Sequence, residues 1–360
     1  MTASSPPRPD QPTAPVSPPV RHRGSRRSLL RRRENGAGWL FMSPALIILL
    51  LFLVVPILLA FYVSLTKWDG LSSPFGGGAK FVGIDNYRNL LGVDALNRLT
   101  FMRSVRNNFY FVLLVVPLQT ALALFLAVLL NNRLLRGKSF FRTAFFFPSI
   151  TSSVAVTLVF IFLFQGFGAV NRLLSFVGIS GPNWLADSRG VFHQVLGAVG
   201  VDSPPGWAQH QFLSLSWWDW LSGPSIAMCV IIALVVWTTS GTFMLMFLAA
   251  LQNISPEIEE ASDIDGASAW QRFRLVTLPM LRPTLLLVLT LGVISTWQVF
   301  DQIYLTGNNP ATNTPAYLSF SQGFDNQAFG LGAAIAFLIF TLIVALTAIQ
   351  RKMVGTGEDD

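Results

Sequence analysis

Residues 255–279 read Ser-Pro-Glu-Ile-Glu-Glu-Ala-Ser-Asp-Ile-Asp-Gly-Ala-Ser-Ala-Trp-Gln-Arg-Phe-Arg-Leu-Val-Thr-Leu-Pro, a charged, helix-forming stretch between two long apolar runs. Five acidic residues fall within nine positions: Glu257, Glu259, Glu260, Asp263 and Asp265. A lipid surface does not account for them, because the cytoplasmic leaflet is anionic and favours Lys and Arg. A docking surface for another protein does. Ser255 suits a helix N-cap and Pro256 the first helical position. The glutamates then favour the positive end of the helix dipole. Ile258, Ala261 and Ile264 share one face, while Glu257 and Glu260 line another. Gly266 is placed to end the helix in a left-handed conformation. Ser268 and Gln271 form a capping-box pattern for a second helix. Pro279 and Pro283 are expected to break the chain before the next apolar run. The product is a compact helix–turn–helix bracket, stiff enough to pass a push to the runs beside it.

Outward from the bracket the chain is mostly apolar. Apolar residues make up 52% of the sequence and charged residues 12%, against roughly 25% charged in soluble domains. Six stretches, 39–65, 107–130, 143–165, 225–251, 283–300 and 326–350, contain no charged residue. About 20 apolar residues suffice to cross a bilayer as a helix. The expected fold is therefore an all-α membrane protein with six transmembrane helices. Six consecutive buried helices of a soluble protein, each apolar all round, would be the competing explanation, and it is the weaker one.

The net charge of +7 is distributed as a membrane protein requires rather than as a nucleic-acid binder would have it. Seven arginines crowd into 21–33, before the first run. Arg133, Arg136, Lys138 and Arg142 fill the connection between the second and third, and Arg351 and Lys352 follow the sixth. With the N-terminus in the cytoplasm, 17 of the 25 Lys and Arg lie inside and 8 outside, as the positive-inside rule asks. Both termini are then cytoplasmic. Residues 1–35, rich in Pro, Ser and Arg, read as a disordered basic tail. The membrane-spanning body runs over 36–352, and 353–360 form a short acidic tail. The first apolar run is too long for a signal peptide and lacks a clear cleavage site, so it reads as a retained helix. Cys229 is the lone cysteine, so no intramolecular disulfide is possible. The three histidines are scattered and no metal-ligand spacing appears. No metal site and no cofactor of the chain's own are expected.

The connections carry their own signals. In the first outer one, Phe81-Val82-Gly83-Ile84-Asp85-Asn86-Tyr87 suits a short interfacial helix. The second, 166–224, is the longest and holds Trp184, Trp207, Trp217, Trp218 and Trp220, a density typical of a membrane–water interface. Its length also suits a platform for an extracytoplasmic partner. Runs four and five contain polar and aromatic groups that lipid alone does not favour: Trp237, Thr238, Thr239 and Thr242, then Ser295, Trp297, Gln298 and, just past the run, Asp301. Hydroxyls, amides and flat rings suit a sugar. Ser and Thr also serve helix–helix packing, so the residues alone leave both readings open.

The motifs resemble those of ABC importer permeases, whose Glu-Ala-Ala loop grips an ATP-hydrolysing subunit. The resemblance is carried by Glu260-Ala261-Ser262, Gly266 and Val276-Thr277-Leu278-Pro279, with Ser262 standing where a second Ala is usual. Trp237, Gly241, Met244 and 247–254 add to it, as does Phe300-Asp301-Gln302-Ile303-Tyr304-Leu305-Thr306-Gly307, although Asn308-Asn309 replaces a usual Gly pair. It covers about 38–352, is most specific over 237–310, and is similar to the carbohydrate-uptake branch. It implies a type I importer architecture in the cell membrane. Coupling to the ATPase would fall to Glu257, Glu260, Ala261, Asp265, Gly266, Leu278 and Pro279. A substrate path would be lined by Thr238, Thr239, Thr242, Ser295 and Gln298, with Trp237, Trp297 and Asp301 nearby. The implied partners are a second homologous permease, an ATPase dimer holding ATP and Mg, an extracytoplasmic sugar-binding protein, membrane lipid and a small-molecule carbohydrate, with no nucleic acid.

The chain has no Gly-x-x-x-x-Gly-Lys-Ser/Thr phosphate loop, so ATP hydrolysis must come from a partner, and the chain itself is not expected to be an enzyme. An ion-coupled secondary transporter would place ionisable residues inside its spans, and these six have none. A membrane-embedded enzyme would need a base, nucleophile or metal ligand beside its carboxylates, and the acidic cluster has none nearby.

Overall fold

The computed structural model describes residues 38–75, 77–92, 95–132, 135–201 and 203–355. The proposed tail at 1–35, Arg133 and residues 356–360 lie outside the described residues. The chain divides into two units, Met1–Leu59 and Ala60–Asp360. The first apolar run is a helix, α1, Gly38–Ser64, with a π turn at Leu50–Val54 just before Pro56.

In the second unit the long helices are α2 (Ala95–Asn131), α3 (Lys138–Ile150), α4 (Ser153–Leu163), α5 (Ile226–Gln252), α6 (Arg282–Trp297) and α7 (Phe329–Gly355). Among the described residues, five helices are long and apolar enough to cross a membrane, or six if α3 and α4 count as one broken span. Two boundaries depart from the sequence reading. The second span begins at Leu96 rather than 107, because an apolar criterion stops at Arg98, Arg103 and Arg106 whereas the backbone hydrogen bonding does not. At 37 residues, α2 is about 55 Å long, well beyond a bilayer's hydrocarbon layer of about 30 Å. The third span is not one helix. It bends by 96° between α3 and α4, where Thr151 and Ser152 are extended (ψ 149° and 125°).

The core is built where α2, α5 and α6 meet. Ala123, Leu126, Ala127 and Leu130 of α2 pack on Phe243, Met244, Phe247 and Leu248 of α5, with Leu281 and Val288 closing the third side. Lipid tails are as apolar as these side chains, so close packing rather than transfer from water holds the helices together. Small residues make the approach possible. A Cβ added at Gly241 would lie 2.3 Å from the Phe145 carbonyl oxygen, so α5 presses directly on the backbone of α3. A second cluster joins Phe101, Met102, Trp297, Ala334, Ile335 and Ile339, tying α2 and α6 to α7.

The connections are folded rather than loose. The short helix over the Phe-Val-Gly phrase is Asp85–Leu91, and buried Asn86 donates to the Ser64 and Thr66 carbonyls at 2.8 Å each. The long second connection contains helices Ala169–Phe176, Val191–Ala198 and Trp217–Trp220. It also has an antiparallel pair, Gln211–Phe212 with Leu215–Ser216.

Candidate functional sites: a central polar cavity and a capped bracket

Helices α5 and α6, the α3–α4 bend and Gln302 surround an open cavity of about 500 Å³. Five of the polar residues singled out from the sequence meet there: Thr238, Thr239 and Thr242 from α5, and Ser295 and Gln298 from the end of α6. The bend contributes Ser149, Thr151, Ser153 and Thr157, and Gln302 completes the ring. Among the described residues no charged side chain lines it.

The hydrogen bonds show what this lining offers. Thr238 donates to the Leu234 carbonyl (3.0 Å), Ser295 to Gly292 (3.1 Å), Thr157 to Ser153 (2.7 Å) and Thr151 to Phe147 (2.9 Å). Each hydroxyl spends its proton on its own helix, a common arrangement inside membranes. What remains is a set of oxygen lone pairs that accept. Gln298 and Thr242 form no side-chain hydrogen bond with the described residues, so an amide and a hydroxyl stay open to a guest. Gln302 Nε2 donates to Ser153 Oγ at 3.1 Å, joining the residues after α6 to the start of α4.

Thr239 is held most tightly. Its hydroxyl lies 2.6 Å from Gln119 Oε1 and 2.7 Å from the Val235 carbonyl. Gln119 of α2 is fully buried, and a Cβ at Gly292 would lie 2.6 Å from its Nε2. Gln119 was not singled out from the sequence, nor were the 149–157 hydroxyls. The available signals were the polar pair Gln119-Thr120 in the middle of an apolar stretch and the cluster Ser149-Ile150-Thr151-Ser152-Ser153.

The other three residues of the expected path are placed differently. Asp301 lines a smaller adjoining cavity of about 240 Å³ that shares Thr239, Ser295, Gln298 and Gln302 with the first. Trp237 does not line either; it is half exposed, its ring 5.6 Å from that of Phe160. Trp297 is turned away into the α2–α7 core and is 3% exposed.

The bracket forms by the local rules its residues suggest. Helix Pro256–Ile264 starts with the Ser255 side chain accepting from the Glu257 N–H. It ends with Gly266 at φ +71°. The Ala267 N–H reaches the Ser262 carbonyl and the Gly266 N–H that of Asp263, each at 3.1 Å, which is the Schellman arrangement. Ser268 and Gln271 make a reciprocal capping box for Ala269–Arg272. An Arg272–Asp263 ion pair, absent from the sequence reading, spans the turn. Glu257, Glu260, Ala261, Asp265 and Gly266 are exposed, while Leu278 is partly covered and Pro279 exposed. Large apolar side chains are also bare here: Ile264 is 86% exposed, Leu275 69% and Trp270 67%. As expected from Pro279 and Pro283, the helix breaks between them, at the single turn residue Leu281 before α6. A π turn at Phe273–Thr277 precedes Pro279, with the Leu278 N–H bonding to the Phe273 carbonyl, so the backbone stays helical almost to α6.

The fold and the cavity define a multi-pass helical membrane protein with hydroxyl and amide groups gathered among its helices. Comparison with known proteins gives the particular family. The model for the binding-protein-dependent transport system inner membrane component matches residues 119–354, and the chain belongs to that family. It is 31% identical to the lactose transport system permease protein LacF of Rhizobium radiobacter over 330 residues, 90% of this chain and 96% of that one. It is equally 31% identical over 330 residues to the trehalose/maltose transport system permease protein MalF of Thermococcus litoralis, covering 91% and 96%. Among solved structures, a bacterial ABC transporter importing the acidic polysaccharide alginate shares the fold, with a TM-score of 0.70 at 17% identity over 92% of this chain and all of that one. A related structure holds the alginate transporter with its pentasaccharide-bound periplasmic protein (TM-score 0.66, 20% identity, 89% and 94% coverage). The chain is thus a carbohydrate-type ABC importer permease subunit and a multi-pass membrane protein.

Proposed function

We propose that the chain carries a neutral sugar through the central cavity and couples that movement to ATP hydrolysis in a partner through the 255–279 bracket. The observation that carries the reading is the chemistry of the cavity. Its lining sets hydroxyl and amide groups among apolar side chains such as Leu234, Phe243 and Ile294, with no charge, which matches the hydroxyls and apolar faces of a sugar, whereas an ion or a charged solute would leave buried charge unpaired. The names of the curated relatives, lactose and trehalose/maltose systems, support the same class.

In this reading six spans place both termini in the cytoplasm and 166–224 outside, with the α3–α4 pair acting as one broken span. The body is the 36–352 permease domain between a basic tail and a short acidic one. A second homologous permease completes the path, and an extracytoplasmic binding protein delivers the sugar. An ATPase dimer, which holds ATP and Mg, grips the bracket. Glu257, Glu260 and Asp265 supply polar contact, Ala261 and Gly266 allow close approach, and Leu278 and Pro279 lead the push into α6. The exposed Ile264, Trp270 and Leu275 support this role, because apolar side chains beside an acidic face suit a protein surface better than an anionic lipid surface.

The test is reconstitution of the chain with the proteins that co-purify with it. ATP hydrolysis stimulated by one or more neutral sugars, and lost in Glu260→Lys Gly266→Val, is the expected result. Normal ATP-driven uptake by that inserted, stable double variant would remove the coupling role.

A further inference from the structure

A second cavity, of about 610 Å³, lies apart from the central one, between the start of α2, the second connection and the N-terminus of α5. Its chemistry is of another kind. Arg106, Arg189 and His193 line it with Gln194 and Asp219, so planar donors and an acceptor of both charge signs face one space.

Several of these groups are only partly used. Arg106 donates through Nη1 to the Asp219 carbonyl (3.0 Å) and through Nη2 to Asn107 Oδ1 (2.9 Å). Its Nε is buried without an acceptor, and it makes no ion pair among the described residues. Asp219 uses Oδ2 on the Ser216 N–H and hydroxyl, leaving Oδ1. Arg189 commits Nε and Nη2 to Asp187, leaving Nη1. His193 stacks on Trp218 at 4.3 Å and sets Nε2 3.0 Å from the Trp218 carbonyl, which leaves Nδ1. Arg106 and Arg189 are balanced in charge by Asp187 and Asp219, so the surroundings favour a guest that is polar and uncharged.

The walls are built rather than incidental. The Val191 and Phe192 N–H groups bond to the Pro224 and Ser222 carbonyls at 2.9 and 3.1 Å. A Cβ at Gly190 would lie 2.1 Å from the Ser222 carbonyl oxygen. Tyr110 donates to the Trp220 carbonyl at 2.5 Å, and Ser225 to that of Ala311 at 3.1 Å. The connection is thereby clamped to α2, to α5 and to the 309–313 turn.

We propose that this outer cavity is a second saccharide site, holding a neutral mono- or disaccharide by hydrogen bonds to Arg106, Gln194 and Asp219. The second N–H of each Arg106 Nη, the Gln194 amide oxygen and Asp219 Oδ1 remain for a guest, a mixture of donors and acceptors that matches neighbouring sugar hydroxyls. The volume falls within the range of small-ligand pockets, about 300–1,000 Å³. The inference rests on the sugar-import reading but concerns a different place from the central cavity.

The test uses Ser188→Cys, an exposed position on the cavity rim, in a Cys229→Ala background of the full chain with its co-purifying partners. Labelling by a membrane-impermeant thiol reagent is timed with lactose, trehalose or maltose. At least one sugar should slow labelling several-fold and saturably. Gln194→Ala and Arg106→Gln should each abolish the protection, Gln194→Ala serving alone if the arginine variant does not fold. Thr242→Ala Gln298→Ala in the central cavity should leave it intact. If a sugar stimulates ATP hydrolysis yet labelling is unchanged, or if the central variant removes the protection, the outer site falls while the transport reading stands. If no sugar of the three protects or stimulates, both fall.

Discussion

Thr239 in the central cavity is fixed by its neighbours: Gln119 of α2 bonds its hydroxyl, and Gly292 of α6 closes over that amide. Glu260 in the bracket makes no side-chain contact of this kind among the described residues; its own turn of helix and the caps on either side fix it. The cavity is a product of tertiary packing, the bracket a product of local sequence. A rigid scaffold holds groups at fixed distances, as recognition requires. A self-capped element with bare apolar side chains keeps its shape while it waits for a surface to meet. The two regions should therefore fail in different ways.

The largest effect is expected at Gly241→Ala. The new Cβ meets backbone of α3, which cannot swing aside, and overpacking of this kind costs about 1–3 kcal/mol. Melting in detergent should fall markedly, with cavity function lost alongside the fold. An unchanged melting temperature would mean that the cavity does not depend on the α3–α5 contact.

Gly266→Val comes next and should separate function from fold. Nothing lies within 4 Å of a Cβ there, so the cost is the left-handed backbone alone, about 1–2 kcal/mol. Global melting should hardly move, while sugar-stimulated ATP hydrolysis drops. A large loss of melting temperature would show that the bracket is part of the core after all.

Thr242→Ala and Gln298→Ala each remove one hydrogen-bonding group from the cavity. A buried hydrogen bond nets about 0.5–1.5 kcal/mol, so uptake affinity should weaken several-fold with the assembly intact. Alanine at both positions with unchanged uptake kinetics would make them packing groups.

Asp263→Asn tests how far the bracket relies on its ion pair. Both partners are substantially solvated, and such pairs contribute about 0.2–1 kcal/mol. Coupling should fall less than in Gly266→Val, with the deficit growing smaller as salt is raised in both proteins.

The smallest effect concerns acid. The Arg189 side chain, by hydrogen bonding, holds the Asp187 carboxyl below its ordinary range. A depressed carboxylate contributes stability that is complete above its unfolded pKa and is lost as pH falls through the folded value. Hydrogen exchange at the Ala227 amide, which bonds to the Asp187 carbonyl, should speed up only in that acid range, and Asp187→Asn should erase the dependence.

This contrast also explains what the sequence disclosed. The bracket could be read residue by residue, since Ser255, Pro256, Gly266, Ser268 and Gln271 act within a few positions of themselves. The cavity was half legible: Thr239, Ser295 and Gln298 stood out as polar groups in apolar runs. Which way they turn depends on helices 100 residues away, so Trp297, equally conspicuous, went into the core. The α3–α4 bend was hidden because hydropathy sees 143–165 as one run, and hydroxyls that bend a helix look the same as hydroxyls that pack one. Asp263 and Arg272 were visible as charges, but their pairing needed the turn between them.

The π turn at Phe273–Thr277 has a consequence for how such chains can vary. A π turn holds one residue more than the α turn it replaces, and one residue corresponds to about 100° of rotation about the axis. Loss of a single residue from 273–277 would restore an ordinary α turn over the same arc and leave the bracket facing α6 as before. Loss of a residue from the ordinary helix beside it finds no spare to absorb it, and would turn Glu260 by about 100°. The same device stands before Pro56 in α1. Length, at these two places, is held with one residue in reserve.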